Sequence, residues 1–278
     1  MKKLIVTSLM FIFQLIVFTQ NYIPIDTVDI NFYYSYDFQQ NSDSKYSLKN
    51  QEMVLQIGKH SSKFTASHLI YSDSVIMENS KEPPTTIGFQ KLMGIIGGTN
   101  IHPYCKNYVY KNYPEKDKIM FTGYVNKKFI KVLEKITFQW QIIDRTDTIL
   151  LGYPCQKAIT SYAGRNYNAW FSTEIPISDG PFKFHGLPGL IVKISDEQNQ
   201  HSFELVKIQN IKYIQPMYFL KKKYISVTAK EYVDAIDVGR AQLINRIQRE
   251  DGIILESEEA KARALNSLKT RNNYIEKY

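Results

Sequence analysis

An α+β domain, mostly β and built on an antiparallel sheet, is the fold this sequence predicts, and three observations predict it. Apolar and polar residues alternate with a period of two along most of the chain up to about residue 210. The helical period is confined mainly to the stretch after residue 225, so helices gather at one end. The regular βα alternation that a parallel doubly wound sheet needs is absent.

Val28, Ile30, Phe32, Tyr34, Tyr36 and Phe38 alternate with Asp29, Asn31, Ser35 and Asp37, which opens the fold with a long half-buried strand. The polar turn Asn41-Ser-Asp-Ser44 leads to a hairpin partner carrying Met53, Leu55 and Ile57; Gly58 breaks the pattern before a short run at 63–65. A short helix is expected over 67–78, and loops through Pro83-Pro84 and the glycines from Gly88 to Gly98. Strands follow at 107–111, 119–125 and 129–133, and Ile136, Phe138, Trp140 and Ile142 alternate as a further one. Gly164-Arg-Asn166 divides a hairpin between runs at 155–162 and 167–171, and Asp196-Glu-Gln-Asn199 divides another between 190–194 and 202–208. Beyond about residue 226 the chain turns helical. Thr228 and Glu231 form a capping-box pattern for a helix over 229–249, with Tyr232, Ile236, Leu243 and Ile247 down one side and an end near Asp251-Gly252. Glu258 to Arg271 reads as a second, more charged helix with Leu265 and Leu268 on its apolar face.

Residues 1–20 place Lys2 and Lys3 ahead of an apolar run from Leu4 to Phe18, the order of a secretory signal peptide, and that run is short for a membrane span. Cleavage is expected after Gln20, with a retained anchor as the alternative because no A-x-A-like site stands there. Residues 21–278 then form a single domain, since no linker divides them and no later stretch matches a membrane helix. No cysteine follows the apolar run to take the acyl anchor of a lipoprotein, so the product is expected to be soluble and periplasmic or secreted.

The chain carries a formal charge of +8, of which Lys2 and Lys3 leave with the leader. Its remaining basic residues are scattered among acids, which argues against nucleic acid as a partner. Lys221-Lys222-Lys223 is the sole basic cluster, read as a solvated strand end with an anionic-surface role as the alternative. Cys105 and Cys155, in an oxidising compartment, are candidates for one disulfide.

Catalytic spacings are missing. There is no G-x-S-x-G elbow and no H-E-x-x-H helix, and Gly94-Ile-Ile-Gly97-Gly98 lacks the Lys-Ser/Thr of a phosphate loop. His60, His68, His102, His185 and His201 stand far apart, and neither a cofactor nor a metal is expected. Glu174 with Asp179, or Asp179 with His185, would act as catalytic pairs only if the fold brought them together.

The densest constellation joins Ala169-Trp-Phe171, Ile175-Pro176, Gly180-Pro181 and His185-Gly-Leu-Pro-Gly-Leu-Ile191. Proline and glycine stiffen this backbone, while Trp170, Phe171, Phe182, Phe184 and Leu187 need cover. A stiff loop loses little entropy on binding, so Trp170, Phe171, Phe182, Phe184, Gly186, Leu187, Pro188 and Gly189 are candidate binding residues. The other interpretation is a core plug, in which the same side chains only close the sheet.

Gly-Leu-Pro-Gly-Leu-Ile at 186–191 resembles the hexapeptide of the GLPGLI family of exported Bacteroidetes proteins. Gly152-Tyr-Pro-Cys-Gln-Lys-Ala158, Ala169-Trp-Phe171, Ile175-Pro176, Gly180-Pro181 and Trp140 look like further elements of it, over about 136–210. That family is similar to the N-terminal, non-catalytic, bowl-like β domain of a bacterial peptide:N-glycanase type. The resemblance implies a bowl or half-barrel, a bacterial envelope setting, and a binding or accessory role toward an envelope protein, peptide or glycan. An envelope hydrolase and a purely structural component are the alternatives.

Overall fold

A computed structural model of the chain describes residues 22–79, 104–249 and 257–278. The expected leader, the prolines and glycines at 83–98, His102 and the expected helix end at Asp251-Gly252 lie outside them. The fold is mostly β, with a large, curved, unclosed sheet and, among the described residues, three helices, two of them near the C-terminus.

The first strand, β1 (Tyr22–Gln39), is the longest at 18 residues and carries a partner on each side: β2 (Leu48–Gly58) and β11 (His201–Asn210). From β2 the sheet steps outward through β3 (Ser62–Ala66), β4 (Tyr108–Lys111), β5 (Ile119–Val125) and β6 (Lys128–Glu134). From β11 it runs through β10 (Leu190–Asp196), β9 (Arg165–Ser172) and β8 (Tyr153–Tyr162) to β7 (Gln141–Leu150) at one edge. A short β12 (Pro216–Leu220) pairs with the start of β1, and β13 (Tyr224–Ser226) adds to β6 in parallel; every other pairing is antiparallel. Helix α1 (Ser67–Asn79) follows β3, and α2 (Ala229–Gln248) and α3 (Glu258–Lys269) follow β13.

The period of two does its work on β1. Phe32, Tyr34, Tyr36 and Phe38 are all buried and head one large core cluster that draws on both wings of the sheet, which defines its inner face. On the opposite face Tyr108, Tyr110 and Met120 form a small second core beneath Leu69 of α1 and Phe219 of β12. Three hairpins use two-residue turns with positive φ at both positions: Asn126-Lys127, Leu151-Gly152 and Ala163-Gly164. The last of these shares Gly164 with the expected Gly164-Arg-Asn166 turn but starts one residue earlier, and Arg165 and Asn166 are drawn into a strand.

Two further expectations need correcting. Ile136, Phe138 and Trp140 alternate in sequence and pack on the core, but the backbone pairs only from Gln141 onward, in a strand that continues to Leu150. The cysteine pair is not bonded: both thiols are free. Cys105 is tethered to β2, where its N–H donates to Gln51 Oε1 at 2.9 Å, whereas Cys155 sits on β8, beyond β1, β11, β10 and β9. The capping box at α2 is formed as expected, with Glu231 N–H donating to Thr228 Oγ1 and Thr228 N–H to Glu231 Oε2. Tyr232 of that helix packs its ring on Phe121, centroids 4.8 Å apart.

Candidate functional site

The loop between β9 and β10, residues 173–189, lies over the inner face. It is tied back to the sheet through its own backbone: Leu190 N–H donates to Ile175 O at 3.0 Å and Ile191 N–H to Asp179 O at 3.0 Å. At Gly189 a Cβ would stand 2.1 Å from the Ser172 carbonyl oxygen, so only glycine lets the loop cross β9 this closely. Gly186 turns the chain at φ +95°, and the Trp140 indole donates to the His185 carbonyl beside it at 2.8 Å.

The sequence-predicted binding residues divide into three groups. Phe171, Phe182, Phe184 and Leu187 are buried, and Phe184 stacks edge-on against Tyr167 at 4.7 Å; these side chains close the core. Trp170 stands half-buried on β9 with the Lys157 ammonium 5.6 Å above its ring, apart from the plug. Gly186 and Pro188 are exposed at the rim, while Gly189 is buried against β9.

Two lysines that sequence reasoning passed over hold the loop in place. Lys111, at the end of β4, is buried and spends its ammonium on Asp179 Oδ1, the Gly180 carbonyl at 2.6 Å and the Phe184 carbonyl at 3.0 Å. Asp179 also accepts from Ser62 Oγ at 2.6 Å and from the Gly180 N–H at 2.6 Å. Lys183 is fully buried between the Phe121 and Phe182 rings and donates to Glu134 at 2.5 Å and Glu276 at 2.6 Å, joining the loop to β6 and to the C-terminal tail. A buried ammonium is tolerated only when its donors are matched in this way.

Beside the loop opens a cavity of about 290 Å³, walled by Lys111, Asp117, Thr137, Phe138, Ser178, Asp179, His185 and Gly186. Asp179 and His185, the pair the sequence offered, therefore meet at one opening. Glu174 is exposed and does not line it. The His185 Nδ1–H donates to the Lys183 carbonyl at 2.9 Å, and the Ile136 backbone also faces the ring. Burial, and then the nearby Lys111 charge, push the imidazole pKa below its usual value, so the ring is held neutral.

A second, apolar cavity of about 130 Å³ lies on the inner face under α2, lined by Tyr36, Phe121, Phe182, Phe203, Tyr232 and Cys105 among others. Burial pushes the Cys105 thiol up to about 12, which makes it a poor nucleophile. Among the described residues no three His, Cys, Asp or Glu side chains converge as metal ligands.

The remaining buried histidine, His201, accepts a hydrogen bond from or donates one to Tyr36 Oη at 2.8 Å, and burial, with Arg165 and Lys277 next, lowers its pKa to about 3. The unfolded chain therefore binds a proton that the folded one refuses between about pH 6.5 and 3, so stability is present above that window and lost as pH falls through it. Between pH 6.5 and 5, before ordinary carboxylates titrate, urea unfolding should show a loss of about 1–2 kcal/mol. His201→Gln should flatten that slope, and an unchanged slope would show the histidine to be uninvolved.

Two crystal forms of PNGF-II, in space groups P21 and C2, are similar in structure: each has a TM-score of 0.48, with 13% and 15% identity. Each match covers 78% of this chain and 34% of the other, so the chain spans about a third of the length of those structures. No curated protein matches the chain. Residues 157–193, which run from β8 through β9 and the loop into β10, match a family described as a protein of unknown function (Porph_ging). Over that stretch, and around the very loop that walls the cavity, the chain is therefore similar to the Porph_ging family.

Proposed function

We propose that the protein is an exported, non-catalytic binding module of a bacterial envelope, related to the GLPGLI family, and that it holds its ligand in the cavity beside Asp179 and His185. The observation that carries this is the fixation of the loop. Lys111 and Lys183 anchor both of its halves, so the cavity wall is formed before any ligand arrives and little ordering entropy is left to lose. The loop contributes its backbone rim, while its large apolar side chains serve as the core plug. A peptide, a glycan or a segment of an envelope protein suits an opening that mixes the Phe138 ring with hydroxyls and charges.

A hydrolytic use of the same cavity is the second reading, favoured by the convergence there of a neutral His185 with Asp179 and Ser178. Against it, Asp179 is already claimed by Lys111, Ser62 and a backbone N–H, and His185 spends its Nδ1–H on the Lys183 carbonyl rather than on a carboxylate.

Capture of envelope components on the immobilised protein separates the two. Thr137→Trp fills the opening from its exposed rim and should lower capture at least about tenfold, a loss of about 1.4 kcal/mol. His185→Gln alters the wall without filling the opening and should lower capture by less than about threefold. Equal capture by Thr137→Trp would remove the cavity from the function, and turnover of a captured component that His185→Gln abolishes would establish the hydrolase.

A further inference from the structure

The parallel pairing of β13 with β6 has an effect on charge that sequence order conceals. Tyr224 stands opposite Phe129, and Phe129 stands opposite Tyr124 on β5. The three rings meet on one face of the sheet, with centroids 4.9 Å apart for Tyr124 and Phe129 and 6.0 Å apart for Phe129 and Tyr224. Lys127 lies in the β5–β6 turn and Lys128 opens β6, and Lys221, Lys222 and Lys223 lead directly into Tyr224. Two lysine runs nearly a hundred residues apart in sequence are thus gathered around one aromatic cluster at one corner of the sheet. The Lys222 ammonium lies 5.6 Å from the Phe129 ring centroid.

Among the described residues, the acid that reaches Tyr224, Asp73, is largely buried and paired with Lys63. Residues 118–133 and 211–230 contain neither Asp nor Glu. The first acid beyond, Glu231, is committed to the Thr228 cap, and Asp234 and Asp237 on α2 are paired with Lys230 and Arg240. Apolar surface is exposed at this corner on both faces of the sheet: Tyr124, beside the ring cluster, is 55% accessible, and Ile225, which pairs with the inner-core Ile130, is 45% accessible on the opposite face of the edge strand. Lysines supply attraction to a dense anionic surface. A sheet corner flanked by a tyrosine ring on one face and an aliphatic side chain on the other suits insertion at the boundary between headgroups and acyl chains. The aliphatic contribution favours lipid over a polysaccharide, whose rings stack on aromatic faces and gain nothing from an isoleucine.

We propose that this corner, formed by Tyr124, Lys127, Lys128, Lys222, Lys223 and Ile225, is a peripheral docking site for an anionic phospholipid surface. It lies at the opposite end of β5 from the ligand cavity, so docking leaves that cavity open. The site is independent of the ligand proposed above.

The test is co-sedimentation of the full chain with vesicles of equimolar phosphatidylglycerol and phosphatidylcholine, measured as binding in excess of that to phosphatidylcholine alone. The chain should bind, binding should fall about tenfold or more in Lys128→Glu/Lys222→Glu/Lys223→Glu, and it should weaken steeply between roughly 0.05 and 0.5 M salt. Tyr124→Ser/Ile225→Ser keeps the charge and should lose a smaller share, about threefold, which tests the apolar contribution separately should the triple variant fail to fold. Lys45→Glu/Lys49→Glu, on the β1–β2 hairpin, should bind like the parent. Equal binding by the corner variants, no excess binding by the parent, or displacement of the parent from vesicles by soluble polygalacturonate would overturn the proposal.

Discussion

Replacing Lys111 with methionine is expected to destabilise the fold by about 3–5 kcal/mol, because it strips one member from a buried ion pair and leaves the other without compensation. Methionine fills a similar volume, so the loss is electrostatic rather than a cavity. Three acceptors lose the ammonium together: the Asp179 carboxylate, left with Ser62 and the Gly180 N–H but no cation, and the Gly180 and Phe184 carbonyls. Removing the stranded charge as well, in Lys111→Met/Asp179→Asn, should recover part of the stability, since an amide is less costly to bury than an unpaired carboxylate. Urea midpoints of the parent, the single and the double variants decide this. Hydrogen exchange at Leu190 and Ile191, whose amides bond to the loop, should quicken in the single variant. A Lys111→Met protein as stable as the parent would show that the loop holds itself.

Arg165→Ala should be comparably damaging, at about 3–5 kcal/mol. The guanidinium is buried on β9 and reaches four partners: Asp196 Oδ2 at 2.7 Å, Gln200 Oε1 at 3.2 Å, Asn273 Oδ1 at 2.5 Å and the Tyr274 carbonyl through both Nε and Nη2. Two of these belong to the C-terminal tail, which Tyr167 also grips through a 2.9 Å bond to the Ile275 carbonyl. The tail in turn supplies Glu276 to Lys183. Loss of Arg165 should therefore release residues 272–277 first, seen as loss of exchange protection at the Lys277 amide, which bonds to Ala163 O. Arg165→Lys should restore little, because a single ammonium cannot reproduce the fork. Protection unchanged at Lys277 in Arg165→Ala would show the tail to be held by other contacts.

Legibility in the sequence followed the burial of the sheet. Strand β1 and the hairpin at 153–172 show in the alternation because one side of each is more open to water, whereas β10, buried on both faces, shows as a short apolar run bounded by a turn. Strands β12 and β13 did not show: they are three to five residues long, flank a lysine run and pair where nothing in the local pattern announces it. The capping residues fixed the start of α2 correctly because a cap is a local device.

At the site, the glycine and proline pattern located the stiff loop but not its fastenings. Lys183 sits between two phenylalanines, where alternation would turn it outward; φ +52° at Phe182 breaks that alternation and buries all three. Lys111 ends a run of aromatic and aliphatic residues and looks like a solvent-facing strand end. Its partners lie some 70 residues away, beyond the reach of any local signal. The tail's role was equally hidden, since Asn273 and Glu276 are polar residues of a short terminal stretch that become buried only by meeting Arg165 and Lys183.

The central place of β1 sets an order of assembly. Its residues from Ile30 to Phe38 pair on one side with β2, which follows at once, but on the other with Asn210 back to His201, and its start pairs with residues 216–220. As the polypeptide emerges from a ribosome or a translocation channel, the earliest strand must wait for the last third before its second edge is covered. Until then a long, aromatic-rich edge is open to foreign strands, and fragments ending before about residue 200 should aggregate rather than fold.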